Sequence, residues 1–205
     1  GRFCINIALV EEGRPVFGMI NNVCDGEILW AFESGECGMI RAGREEVLVN
    51  EPNTASKLKV AVSRFHLTEW EMQYIDYLRS LGHEVELVPL GASSKHCMLA
   101  EGKVDICPKF GKCSEWDVAA GQVLVEATGG LVVNAETGGK VCYNKENIIS
   151  SPFVMFGKRV HEEIKGGNKT FLNFKVKSIV KNDYLGTRRI ETKKQDIMEK
   201  QYAKE

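Results

Sequence analysis

Asp117 stands in the first turn of a helix that the spacing predicts from Ser114 to Gly129-Gly130, with Ser114 as N-cap and Val118, Val123, Leu124 and Ala127 as its apolar stripe. A carboxylate at that place either complements the helix dipole or offers oxygen to a cation. Trp116 beside it is a ring able to anchor the turn, and Ala119, Ala120 and Gly121 allow close helix packing. A second group is Leu90-Gly91-Ala92-Ser93-Ser94-Lys95, small residues and a lysine between a strand and a helix. It suits phosphate binding through backbone N–H groups and the ammonium of Lys95, or else is a helix cap with a solvated lysine; the nucleotide P-loop spacing is absent. Ser63 and His66 follow a third strand, and Lys109 follows a fourth; each is a surface polar group or a ligand contact. Convergence of two lysines, hydroxyls, a histidine and a dipole-held carboxylate on one rim implies an anionic ligand with a metal ion.

The elements that must position these residues fall into two patterns. Phe3, Ile5, Ile7 and Leu9 alternate with Cys4, Asn6 and Ala8, and turn signals at Glu11–Pro15, Cys24–Glu27 and Gly35–Gly38 make residues 3–41 an antiparallel meander. Residues 44–57 are expected to be a polar connector. Beyond it strands at 58–63, 85–88, 104–107 and 131–133 alternate with helices, including one opened by the capping pair Thr68 and Glu71 and one over 93–100. The expected organisation is a sheet portion over 1–52, an α/β domain over 53–157 and a basic tail over 158–205, and the fold class is α/β or α+β. In the tail, 171–177 is a candidate strand and 192–204 a candidate charged helix.

The chain has 205 residues, 43% of them hydrophobic, and a formal net charge of -1, which suits an ordinary globular protein. Residues 158–205 carry a net charge of +6 and the remainder -7. With mixed charge and few aromatics the tail reads as a solvated extension, not a nucleic-acid binder. No apolar run approaches the roughly 20 residues that span a bilayer, and no secretory start is visible, so a cytoplasmic protein without membrane contact is expected. The seven cysteines (Cys4, Cys24, Cys37, Cys97, Cys107, Cys113 and Cys142) lack C-x-x-C or zinc spacing. Most are expected to be buried thiols, with Cys107 and Cys113 flanking the approach to the Asp117 helix.

Trp116-Asp117-Val118-Ala119-Ala120-Gly121 followed by Glu126-Ala127-Thr128-Gly129-Gly130 resembles the C-terminal signature of the inositol-monophosphatase-like, lithium-sensitive metal phosphatases. Leu90 to Gly102, with Lys109-Phe110-Gly111 ahead of the Trp-Asp pair, is most similar to their 3'(2'),5'-bisphosphate nucleotidase branch, linked in bacteria to sulfate assimilation. The resemblance covers roughly residues 1–157. It implies a layered α-β-α-β-α sandwich and a Mg²⁺-dependent phosphomonoesterase that removes the 3'-phosphate of adenosine 3',5'-bisphosphate. Asp117 would bind Mg²⁺ beside the scissile phosphate, and Ser63, His66, Gly91, Ser93, Lys95 and Lys109 would hold the rest of the nucleotide. Ala92 replaces a serine common in the family, and Lys109 stands where arginine is frequent.

The family's Asp-Pro-x-Asp-Gly-Thr metal loop and a further Glu ligand match nothing in residues 1–205. The chain is therefore expected to be a C-terminal part lacking the N-terminal helices, inactive alone, and prone to form a homo-oligomer or to take a partner fragment. An inositol monophosphatase-like sugar phosphatase and a non-catalytic nucleotide-binding remnant are the alternatives.

Overall fold

The computed structural model describes residues 3–174. Five antiparallel strands, β1 (Cys4–Glu11), β2 (Arg14–Asn22), β3 (Glu27–Phe32), β4 (Cys37–Arg41) and β5 (Arg44–Val47), form a first sheet in simple sequential order. The expected connector thus begins with a fifth strand. Its four residues are all exposed, so it has no apolar alternation by which to be recognised.

The second sheet has the order β7-β6-β8-β10-β9, built from β6 (Leu58–Ser63), β7 (Val85–Leu90), β8 (Ile106–Lys109), β9 (Leu131–Asn134) and β10 (Phe153–Phe156). β7, β6 and β8 run parallel, so their C-terminal ends share one edge, whereas β10 is antiparallel to both its neighbours. The strand expected at 104–107 lies two residues later, which brings Lys109 onto the end of β8.

Four helices complete the fold: α1 (Glu69–Ser80), α2 (Ser94–Ala100), α3 (Glu115–Ala127) and α4 (Lys158–Lys165). Capping boxes open α1 at Thr68 with Glu71 and α3 at Ser114 with Asp117. Gly82 and Gly129, both at φ +90, follow their ends, a backbone region that other residues enter at a cost.

Helix α3 lies between the sheets. Val118, Ala119 and Val125 pack with Ala61, Phe153 and Met155 of the second sheet, while Ala120, Val123 and Leu124 pack with Ile20, Leu29 and Ala31 of the first. The contact on β2 is so close that a Cβ on Gly18 would meet the Ala120 carbonyl oxygen at 2.4 Å. On the far face of the second sheet lie α1 and α4. The described layers are therefore sheet, α2 with α3, sheet, α1 with α4.

Two expectations need correction. Residues 158–174 are not a separate tail: Val160, Ile164 and Phe171 join the core of the second sheet, and Arg159 donates to the carbonyls of Asn53 and Ala55. Phe171 closes a 3-10 turn (Lys169–Leu172) where a strand was expected; the candidate helix at 192–204 and the end of that strand lie outside the described residues. On β1, the strongly apolar set faces away from the helices. Cys4 and Asn6 point toward α2, while Phe3, Ile5, Ile7 and Leu9 are about half exposed, at 57, 50, 48 and 51%. Phe32, 41% exposed, packs on Phe17 of β2 with ring centroids 4.9 Å apart and the planes tilted by 47°. The first sheet is thus covered by helices on one face only among the described residues.

Candidate functional site

The C-terminal edge of the parallel strands gathers the candidate residues. β6 ends at Ser63, paired with Leu90 at the end of β7, and the Arg64 N–H donates to the Leu90 carbonyl at 3.0 Å, so the Ser63–His66 loop and the Gly91 turn are neighbours. Lys109 ends β8 on the other side of β6. Asp117 enters from the first turn of α3.

The Gly91–Lys95 turn presents backbone outward. Gly91 has open space where a Cβ would stand, and the exposed Ala92 is held at φ +48, a left-handed conformation that a non-glycine residue adopts at a cost of about 1 kcal/mol. The serine side chains, by contrast, turn inward. The Ser93 hydroxyl accepts from Asn6 Nδ2 at 2.8 Å, and Ser94 donates to Asn22 Oδ1 at 3.1 Å, which Cys4 also approaches at 3.0 Å. Both serines are buried, so Ser93 anchors the turn to β1 and Ser94 anchors it to β2, and the Ser93 hydroxyl does not line the rim. Lys95 folds back onto the Ala92 carbonyl at 3.0 Å. Ser63 accepts the His66 N–H at 3.0 Å and shapes its own loop, leaving the His66 imidazole exposed.

Asp117 is the reciprocal member of the capping box: its Oδ2 accepts the Ser114 N–H at 3.3 Å, and the Cys113 thiol lies 3.8 Å from the same oxygen. Oδ1 remains for a ligand. Trp116 does not anchor the turn by burial, since it is 60% exposed.

Burial pushes the Cys113 thiol up to about 11, with Asp117 adding to the rise and Lys109 and Lys95 opposing it. Cys107, buried and raised, feels Lys95, Lys109 and Glu71 in turn. Both thiols stay protonated near neutrality, which leaves neither activated as a nucleophile. The expectation that most cysteines are buried does not hold: Cys97 and Cys107 are, Cys24 and Cys142 are exposed, and the rest are intermediate.

Two functional-site neighbours escaped sequence reasoning. Glu71, read only as a capping residue, is 2% exposed and lies 3.7 Å from Lys109. His96, inside α2, packs against α3 so tightly that a Cβ on Gly121 would fall 2.2 Å from its Nδ1. No residue pattern flags either, because both burials are set by contacts between elements far apart in sequence.

Among the described residues no group of three or more His, Cys, Asp or Glu is placed to hold a metal ion. A cavity of about 170 Å³ lined by Arg14, Glu33, Gln122 and Glu126 lies beside the later turns of α3, away from Asp117. No helix of the described residues is long and apolar enough to cross a membrane.

The chain is similar to known proteins in sequence and in fold. The family model described as "Inositol monophosphatase family" matches residues 1–167. The 3'(2'),5'-bisphosphate nucleotidase CysQ of Salmonella typhimurium is 35% identical over 136 residues, which cover 64% of this chain and 51% of that protein. Its Escherichia coli K12 counterpart is 32% identical over the same coverage. The crystal structure of CysQ from Bacteroides thetaiotaomicron, a bacterial member of the inositol monophosphatase family, superposes with TM-score 0.70 at 30% identity, covering 76% of this chain and 63% of that one. An inositol monophosphatase from Zymomonas mobilis, TM-score 0.58 and 23% identical over 77% of this chain and 59% of its own, shares the fold. The chain spans about half the length of the curated relatives it matches.

Proposed function

Because the chain belongs to the inositol monophosphatase family, we propose that it is the substrate-binding and C-terminal part of a phosphomonoesterase acting on adenosine 3',5'-bisphosphate. The observation that carries this reading is the shared C-terminal edge of β7, β6 and β8, where Gly91, Ser63 and Lys109 stand at neighbouring strand ends, with Lys95 in the first turn of α2 and Asp117 in the first turn of α3: two cations for phosphate and one carboxylate for a cation. Two lysines on the rim favour a ligand with two phosphates over an inositol monophosphate, and the names of the similar CysQ proteins agree.

In this reading Lys95 and Lys109 neutralise phosphate charge and the Gly91–Ala92 backbone approaches the ligand. His66 and Ser63 border the sugar and base. Asp117 Oδ1 would hold Mg²⁺, which supplies activation of water and stabilisation of the leaving oxygen when bound with further carboxylates. The described residues provide one such carboxylate, so we assign the chain ligand binding and expect no turnover from it alone. A phosphate-release assay with Mg²⁺ and adenosine 3',5'-bisphosphate is expected to stay at background; turnover at the rate of a complete phosphatase would overturn this.

The lone carboxylate also favours a second reading, a non-catalytic nucleotide binder. Thermal shift separates the two: stabilisation by the bisphosphate that grows with Mg²⁺ supports the phosphatase part, and stabilisation indifferent to Mg²⁺ supports the binder.

The outer face of the first sheet sets the assembly state. Phe3, Ile5, Ile7 and Leu9 beside Phe32 make a contiguous apolar surface of the kind that monomers seldom leave in water. Light scattering is expected to report a dimer or larger species, and a monomer at high concentration would count against self-association.

A further inference from the structure

We propose that Glu71 is the positioning residue that presents Lys109 to the ligand's second phosphate, an inference that rests on the bisphosphate reading above. Glu71 sits in the first turn of α1 and is 2% exposed. Its Oε1 accepts the Phe110 N–H at 3.1 Å and the Gly111 N–H at 3.5 Å, and its Oε2 accepts the Thr68 N–H at 2.5 Å. Lys109 Nζ lies 3.7 Å from Oε1, on a side chain that is itself only 13% exposed. One carboxylate thus joins the loop after β6, which carries His66, to the loop that follows Lys109 at the end of β8.

The geometry restricts the lysine further. A Cβ on Gly111 would come within 3.2 Å of Lys109 Nζ and 2.8 Å of the Thr68 methyl, so the ammonium is folded over a residue that only glycine fills without a clash. A free lysine spreads over many rotamers and gives up that side-chain freedom when a ligand fixes it. Held by Glu71, Lys109 has lost that freedom beforehand. An ammonium has three N–H donors, and the ion pair with one oxygen leaves others for phosphate. A capping residue needs none of this: the Thr68 N–H alone would satisfy the capping box, whereas the carboxylate also accepts from the far loop and pairs with its lysine.

Calorimetric titration of the full chain with adenosine 3',5'-bisphosphate and with adenosine 5'-monophosphate tests the assignment. The wild-type chain is expected to prefer the bisphosphate, and Lys109→Ala to lose most of that preference. Glu71→Gln is expected to lower the preference about tenfold while leaving monophosphate affinity near wild type, and to add nothing in the Lys109→Ala background. If Glu71→Gln fails to fold by circular dichroism, Glu71→Asp, which keeps the charge but shortens its reach, carries the same comparison. Equal weakening of both ligands by the Glu71 variant would reduce it to a structural residue and overturn the inference. A preference that depends on Lys109 but not on Glu71 would overturn the inference alone. No bisphosphate preference in the wild type would overturn the functional reading and the inference with it.

Discussion

A chain ending at Gly157 is expected to lose its cooperative thermal transition, although residues 1–157 contain every strand of both sheets. What the truncation removes is the cover on the outer face of the second sheet. Val160 and Phe171 are 0 and 1% exposed and Ile164 is 8% exposed, all in the cluster that holds Val60, Val62, Tyr74, Ile75 and Phe156. Full burial of such a side chain contributes about 1.5–3 kcal/mol, so three of them rival the total of about 5–15 kcal/mol by which a domain is stable. Polar ties go as well. Tyr77 donates to the Thr170 carbonyl at 2.7 Å, His161 Nδ1 meets the Gly129 carbonyl at 2.8 Å, and Arg159 lies 3.7 Å from Asp105, a side chain 1% exposed that would be left with one partner fewer. A full-length Phe171→Ala variant should show part of the same effect, about 3–5 kcal/mol by urea denaturation. A truncated chain that melts within a few degrees of the intact one would show that α4 and the 3-10 turn are ornamental.

The second large effect is a loss of stability in acid centred on His96. Burial, with a smaller contribution from Lys95, lowers this imidazole from 6.5 to about 3. Its Nδ1 is buried without a hydrogen-bond partner, close against Gly121 of α3. In the folded chain the ring therefore stays neutral while the unfolded chain takes up a proton below pH 6.5. A folded-state pKa below the unfolded value means that the unfolded state binds more protons between the two. Stability then falls as pH drops from about 6.5 toward about 3, by at most about 1.4 kcal/mol per pH unit from this group. Carboxylates add their own losses at lower pH, so the diagnostic window is between about 6.5 and 5, above most of their titration. Urea midpoints across that window should decline in the wild type and flatten in His96→Leu, whose side chain cannot charge. A wild-type midpoint independent of pH there would mean that the ring is solvated or partnered in solution.

Much of this architecture was legible because local signals agreed with the packing. The capping pairs Ser114 with Asp117 and Thr68 with Glu71, together with the glycines after each helix, gave α3 and α1 almost to the residue. The position of Ser63, Gly91 and Lys109 at strand ends was legible too, since each comes where an apolar, β-branched pattern closes. Elements with little apolar content were harder. Helix α4, Lys-Arg-Val-His-Glu-Glu-Ile-Lys, buries only Val160 and Ile164, so its composition is that of a solvated tail while its two apolar residues belong to the core. β1 is legible as a strand by its alternation, but nothing local says that the face with Cys4 and Asn6 meets the helices, because that layer is held by hydrogen bonds to Ser93 and Asn22. Ser93 shows the same limit, a hydroxyl at the right place in the chain whose rotation inward only the fold decides.

Helix α3 carries a consequence for how the molecule responds as a whole. Its successive residues alternate their loyalty, Ala119 and Val125 to one sheet and Ala120 and Leu124 to the other, so neither sheet keeps its inner cover if the helix frays. The two sheets are therefore obliged to melt together, because loss of the one helix strips the inner face of both at once.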